Sequence, residues 1–289
     1  MSIDGPPILD TGEAQLSEDD FQRIARIAKA GWGLNLDPAK KPLIRSRLGR
    51  RLKAVGLTDF KAYCAVIESG DTVESEHFVS ALTTNVTHFY RETHHFETIE
   101  TEFAASLAAR AKAGHRIRIW SAGCSSGQEP YSLAASLLAV LPDAARYDVK
   151  ILATDIDLGV LKTAQSGLYE AKTAAFPTPQ LKARVFDPAQ EPAARDIAVR
   201  PELKALITFR RLNLVQPWPF AGQFQIVMCR NVAIYFDKAT QKTLWERFSE
   251  ILAPDGLLFI GHSERIPNPP ELGLSPIGIT SYRKINAKN

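Results

Sequence analysis

The chain has 289 residues, room for two domains with a core each, and its 45% apolar and 23% charged residues place it among ordinary globular proteins rather than disordered or fibrous ones. A formal net charge of +3 is too small to argue for a nucleic-acid partner. No apolar run reaches the roughly 18 residues of a membrane span, and the start Met1-Ser2-Ile3-Asp4-Gly5-Pro6-Pro7 lacks the basic and apolar parts of a secretory signal, so a cytoplasmic protein with no membrane insertion is expected.

Residues 1 to about 16, rich in Gly, Pro and acids, read as a mobile tail. Ser17 then has the look of an N-cap, with Asp20 three residues on, and Phe21, Ile24, Ala25 and Ala28 follow at helical spacing until Gly31 and Gly33. Asp37-Pro38 opens a second helix with the stripe Ile44, Leu48, Leu52 and Val55, ended by Gly56. Thr58 is the expected cap of a third, with Phe60, Tyr63, Cys64 and Ile67 on one face, and a fourth runs through His77, Phe78, Ala81 and Leu82. Residues 17–83 thus form an all-helical domain. A linker and helix with Phe96, Ile99, Phe103 and Leu107 occupy 84–114.

From residue 115 the pattern changes. Arg116–Trp120 reads as a strand, followed by a glycine turn and a helix opening at Glu129-Pro130. Asp148–Ala153 is a second strand, ending at Asp155, and a helix follows around Val160, Leu161 and Ala164. Phe224–Cys229 and Gly256–Ile260 are further strands, with a helix through Leu244, Phe248 and Ile251 between them. Strands alternating with helices predict an α/β domain with a parallel sheet over 115–289. Residues from about 168 to 206, rich in Pro, Ala and charge, break that rhythm as an insertion.

The turn Ser121-Ala122-Gly123-Cys124-Ser125-Ser126-Gly127 lets a ligand approach the backbone closely but is not G-x-G-x-x-G. Glu129 at the helix start repels a pyrophosphate and suits a cationic ligand. Asp155 at a strand end can accept hydrogen bonds from ribose hydroxyls. S-adenosylmethionine has that chemistry: an ammonium, a sulfonium and a ribose, with no phosphate. Each acid has a plainer reading: Glu129 as charge complementing a helix N-terminus, Asp155 as the N-cap of the next helix. His88, His94 and His95 do not match a metal-ligand spacing and no metal is expected; they read as surface or linker histidines. Cys64, Cys124 and Cys229 suit neither a disulfide framework nor a zinc site.

Several strings carry a stronger signal. Residues 120–132 (Trp120 through Ser132), Thr84-Asn85-Val86-Thr87-His88-Phe89-Tyr90-Arg91-Glu92, and Cys229-Arg230-Asn231-Val232-Ala233-Ile234-Tyr235-Phe236 resemble, in order, motifs of the CheR family of chemotaxis receptor methyltransferases. Leu212-Asn213-Leu214 and Gly261-His262-Ser263-Glu264 fit the remaining places, and the resemblance runs from about residue 17 to 284. It implies an all-helical N-terminal domain and a Rossmann-like S-adenosylmethionine-dependent methyltransferase domain with a small β-subdomain at about 168–206. It implies cofactor contacts from Asn85, Thr87, Arg91, Glu129, Asp155, Asn213, Leu214, Arg230 and Asn231, and a direct part in methyl transfer for Arg91 and Tyr235. The implied reaction converts glutamate side chains of membrane chemoreceptors to methyl esters, leaving S-adenosylhomocysteine. Gln128, Tyr90, Gln225 and Met228 depart from the family pattern without touching these residues.

Between Lys40 and Lys53 lie seven basic residues and no acidic one. Arg45, Arg47, Arg50, Arg51 and Lys53 are the candidates for docking the acidic methylation helices of a receptor. A receptor C-terminal tethering peptide is a further candidate partner, and a monomer is expected. Two alternatives stand beside this function: a CheR-like methyltransferase acting on another protein or a small molecule, and a non-catalytic signalling module of the same fold.

Overall fold

The computed structural model describes residues 14–187 and 195–285. The tail expected over residues 1 to about 16 lies almost wholly outside them, as do 188–194 of the insertion. The chain divides into two compact units, with the break between Thr84 and Asn85.

The first unit is helical. Helix α1 (Glu18–Trp32) is capped by Ser17, which accepts the Asp20 N–H, and Gly33 closes it while Gly31 lies inside. Asp37 caps a short 3-10 turn, Pro38–Lys40, that leads into α2 (Lys41–Ala54). Helix α3 (Phe60–Glu68) is capped by Asp59 rather than Thr58: its carboxylate accepts the Ala62 N–H. Helix α4 (Thr72–Leu82) turns Glu74, Phe78, Val79 and Leu82 inward and leaves His77 outside. Burying Glu74 is made tolerable by its partners: Arg51 donates to both carboxylate oxygens (3.0 and 2.7 Å) and the Tyr63 hydroxyl donates at 2.6 Å.

The second unit begins with α5 (His94–Thr98), a π turn, and α6 (Ala104–Lys112), whose Phe96, Ile99, Phe103 and Leu107 are all buried. Then come β1 (Ile117–Ala122), α7 (Gln128–Val140), β2 (Val149–Asp155) and α8 (Leu158–Ser166). The insertion contains β3 (Leu168–Glu170), α9 (Pro179–Val185), β4 (Asp196–Ala198) and α10 (Pro201–Leu206), with β3 and β4 paired antiparallel. Strand β5 (Ile207–Arg211), β6 (Phe224–Cys229), α11 (Lys238–Ile251), β7 (Leu252–Ile260), β8 (Leu274–Gly278) and β9 (Ser281–Lys284) complete it. The sheet order is β5-β2-β1-β6-β7-β9-β8; the first five strands are parallel, β9 pairs antiparallel with β7, and β8 pairs antiparallel with β9.

This order fixes where a ligand goes. From β1 the chain steps outward to β2 and β5, then returns to lay β6 on the other side of β1. The direction reverses between β1 and β6, and open α/β sheets bind ligands outside the carboxyl ends of the strands at that place. Strands β1, β2, β5, β6 and β7 end at Ala122, Asp155, Arg211, Cys229 and Ile260. Every candidate residue of the second unit from Gly123 onward therefore lies at one edge of the sheet or one turn beyond it. Aromatic packing ties the linker to the same body: Phe89 stacks on Phe176 at 4.4 Å and meets Tyr169 and Phe186 edge-on.

Candidate active site

The loop after β1 is shaped by close approach. Gly123 has φ +88°, and a Cβ there would run into the Val232 side chain, so the bare backbone of the β1 loop packs against a side chain of the β6 loop. Non-glycine residues also sit in the left-handed region here: Tyr90, Glu92, Ser125 and Asn231, with φ from 49° to 59°. They fall in the linker motif, the β1 loop and the β6 loop, and such strain persists only where surrounding contacts over-determine it.

Arg230 is the hub. Its side chain is 2% exposed, and its guanidinium donates to Glu129 Oε2 at 3.1 Å, lies 3.5 Å from Glu92 Oε2 and donates to the Arg91 carbonyl. One cation thus ties the linker motif to the first turn of α7. Glu129 also accepts the Ser121 hydroxyl at 2.7 Å. Burial pushes the Glu129 carboxyl upward, and Arg230 opposes the shift. At Glu92 burial pulls the same way, but Arg230 and the bonds from His262 together outweigh it and hold its pKa below the ordinary value.

Asp155 is 9% exposed and accepts the N–H groups of Ser125 (2.8 Å) and Asp157 (3.0 Å). It does not cap the following helix: Asp157 does, through the N–H groups of Gly159 and Val160. Burial raises the Asp155 pKa, and no cation among the described residues offsets it. A buried carboxylate bonded only to backbone N–H groups, with lone pairs to spare, suits the two hydroxyls of a ribose. The set is compatible with S-adenosylmethionine, since a carboxylate like Asp155 can take ribose hydroxyls, one like Glu129 can take an ammonium, and an acid stands in the first turn of α7 where a phosphate would be repelled. Glu129 and Asp155 both act on the buried Cys124 thiol, which burial pushes well up and both carboxylates raise further, so the two acids flank one spot.

The other predicted residues are placed as follows. The Asn85 amide donates to Asp157 at 2.8 Å and its carbonyl accepts the Ser125 hydroxyl, so it straps the linker to the ends of β1 and β2. Thr87 is half-buried on the same linker. Arg91 donates to the Val86 carbonyl, and no carboxylate pairs with it among the described residues, which removes the surface ion pair as its explanation. Asn213 accepts the Val215 N–H, and the Leu214 carbonyl accepts from Trp218 and Arg247. Tyr235 is half-buried on the 3-10 turn Ala233–Tyr235, not a core residue.

Some functional side chains carry no separate sequence signal. Arg247, stacked 3.8 Å over Trp218, fixes the loop that carries Leu214 from a helix over thirty positions away, a distance no local pattern reveals. His95 corrects its expected placement: it is fully buried, with Nε2 at 2.9 Å from Thr280 Oγ1. Glu92, His94 and His95 bring ligand-type atoms within 4.8 Å of one another, but the Arg230 guanidinium beside Glu92 supplies positive charge there. Burial pushes the His95 pKa down to about 3, so the unfolded chain takes up a proton at this residue near pH 6.5 and the folded one does not. Its contribution to stability is complete above pH 6.5 and declines as pH falls toward 3. Urea unfolding across that window should show a shallower pH slope for His95→Gln, by up to about 1.4 kcal/mol per pH unit; an unchanged slope would show that His95 is not held neutral.

The parallel sheet with its reversal at β1 and β6, and a cofactor edge built for a charged nucleoside without phosphate, define an S-adenosylmethionine-dependent methyltransferase. The sequence places it further. Residues 85–278 match the CheR methyltransferase SAM-binding domain and residues 19–83 the CheR methyltransferase all-alpha domain. A probable chemotaxis protein methyltransferase of Rhizobium etli is 42% identical over 87% of this chain and 94% of its own length. Chemotaxis protein methyltransferase 2 of Pseudomonas aeruginosa is 40% identical over 96% of both chains. The Escherichia coli chemotaxis protein methyltransferase is 40% identical over 88% of this chain and 87% of its own. The chain belongs to the CheR methyltransferase family, whose reaction is methylation of chemoreceptors in chemotaxis.

Proposed function

We propose that this chain esterifies glutamate carboxylates on the cytoplasmic helices of a membrane chemoreceptor, with Arg91 and Tyr235 addressing the acceptor. The observation that carries it is the cofactor edge, where Asp155 and the Glu129–Arg230 pair suit S-adenosylmethionine while the linker motif brings Arg91 to the same edge. When bound, the cofactor supplies an activated methyl group. A glutamate is already ionised at neutral pH, so no general base is needed. The protein's work is to hold an acceptor oxygen about 3 Å from the methyl carbon, in line with the leaving sulfur. Arg91, which pairs with no carboxylate among the described residues, suits one acceptor oxygen by charge-assisted hydrogen bonding, and the Tyr235 hydroxyl suits orientation of the other.

Docking is assigned to α2, with a division among its basic residues. Arg47 donates to the carbonyls of Ala81 and Thr83 and to Thr84, and Arg51 is held by Glu74, so these two support the helical unit itself. Arg45, Arg50 and Lys53 are exposed and present the charge. Arg50→Ala should lower receptor methylation about 3- to 10-fold, more at low salt, with cofactor affinity unchanged, whereas Arg47→Ala should lower thermal stability. Loss of cofactor binding in Arg50→Ala would undo this division. A receptor C-terminal peptide at the β3–β4 subdomain, a cytoplasmic location and a monomeric state complete the proposal. No helix among the described residues is long and apolar enough to cross a membrane.

The test is transfer of labelled methyl from S-adenosylmethionine to receptor-bearing membranes from a strain without its own methyltransferase. Label released by base supports a carboxyl ester on the receptor. No label, with cofactor binding intact, would move the search to another protein or a small molecule.

A further inference from the structure

The β7 loop, Gly261-His262-Ser263-Glu264, stands at the cofactor edge, yet none of the roles above falls to it. Glu264 is 4% exposed, and its carboxylate points away from solvent into the loop that follows β6. Oε1 accepts the N–H groups of Val232 (2.9 Å) and Ala233 (2.7 Å); Oε2 accepts those of Asn231 (3.1 Å) and Gly261 (2.5 Å). Three consecutive N–H groups of one loop thus converge on one side chain of another. The two loops also touch directly: a Cβ on Gly261 would lie 2.6 Å from the Asn231 nitrogen. The left-handed turn at Asn231, φ 59°, is what aims these N–H groups together.

The same loop is gripped from its other side. Gln241, on α11, donates to the carbonyls of Ala233 (2.8 Å) and Phe236 (3.0 Å). Tyr235 sits between those carbonyls, its own N–H bonded to Val232. The backbone that presents Tyr235 is therefore fixed by a carboxylate on its N–H groups and an amide on its carbonyls.

We infer that Glu264 is a positioning residue for methyl transfer: it holds the Asn231–Ala233 backbone so that Tyr235 faces the acceptor oxygen, and Gln241 completes the hold. This rests on the role proposed above for Tyr235. Geometry of this kind acts on the rate once both substrates are bound, because displacement of a small oxygen from the line of attack slows transfer steeply. Cofactor affinity, set chiefly by Asp155 and Glu129, should barely change.

The variants are Glu264→Gln, which keeps shape but turns an amide NH2 toward N–H donors, and Gln241→Ala, half-exposed and gentler on folding. Each is measured for receptor-methylation kcat, normalised to active sites counted by S-adenosylhomocysteine titration, alone and combined with Tyr235→Phe. Expected are a fall in kcat of about 10- to 100-fold for Glu264→Gln and about 3- to 10-fold for Gln241→Ala, with cofactor Kd within about 3-fold of the parent. In the Tyr235→Phe background either change should cost less than about 3-fold more, because both act through that side chain. Parental kcat in both variants, or losses that multiply fully with Tyr235→Phe, would overturn the inference. Tyr235→Phe alone reports on the underlying role: a parental rate there, with slow Glu264→Gln, would sink the Tyr235 assignment and the route through it, while leaving the cofactor site as described.

Discussion

Replacing Arg230 by methionine should cost about 3–5 kcal/mol of folding stability, the range for removing one partner of a buried charge pair. The reason is arithmetic of charge. Arg230 is 2% exposed and faces two carboxylates, Glu129 and Glu92, each 11% exposed. Methionine fills the volume but leaves both acids without their shared cation, and the Arg91 carbonyl loses its donor. The acids then either stay charged in a poor medium or protonate, and both cost free energy at neutral pH. Lysine should recover part of the loss, since one ammonium cannot span two carboxylates and a carbonyl as a planar guanidinium does. The decisive variant is the triple change Arg230→Met, Glu92→Gln, Glu129→Gln. It should regain most of the lost stability in urea unfolding, because the charges vanish together. If Arg230→Met costs under about 1 kcal/mol, or the triple change regains nothing, the guanidinium is not what balances these acids.

Much of this site is legible in the chain because its residues sit at strand ends, and strand ends are marked locally. An apolar run stopping at Asp155 or Cys229 shows where the sheet edge lies, and the glycine at 123 shows where the chain is closely approached. Helix caps are nearly as local, although Thr58 and Asp59 both suit a cap and only the side-chain geometry chooses Asp59. What stays hidden is long-range. Strand β5 begins directly at the end of α10, with no turn signal between Leu206 and Ile207, and the β8–β9 hairpin contains Pro276, which argues against a strand except at an edge, where β8 in fact lies. His95 looks like a linker polar residue until the fold places Thr280 beside it, 185 positions away. The basic run on α2 likewise does not reveal that Arg47 and Arg51 serve helix packing rather than the outer surface, because that depends on where Glu74 and the end of α4 come to rest.

Asp155→Ala should weaken binding of S-adenosylmethionine by about 10²- to 10⁴-fold, the largest effect expected on the cofactor from one side chain. A hydrogen bond to a charged group contributes about 1.5–3 kcal/mol, and a ribose offers two donors to this carboxylate. Alanine also strips the acceptors from the Ser125 and Asp157 N–H groups, which hold the loop between β1 and α7 and the start of α8. Asp155→Asn is the milder change. It keeps the size and one oxygen but turns its NH2 toward one of the two backbone N–H groups, so one loop tie and one ribose acceptor are lost where alanine loses both; binding should fall about 10- to 100-fold. The pH profile adds a second signature. Burial raises the Asp155 pKa above the ordinary carboxylate value, so affinity for S-adenosylhomocysteine should begin to decline at a higher pH than an exposed aspartate would produce. In Asp155→Asn the share of that decline due to position 155 should disappear, because no proton can be taken up there, leaving the share due to Glu129, whose pKa burial also raises. Calorimetric titration with S-adenosylhomocysteine across the acid range measures both. An alanine variant that binds within about 3-fold of the parent would remove Asp155 from the cofactor site and leave it as a tie between two loops.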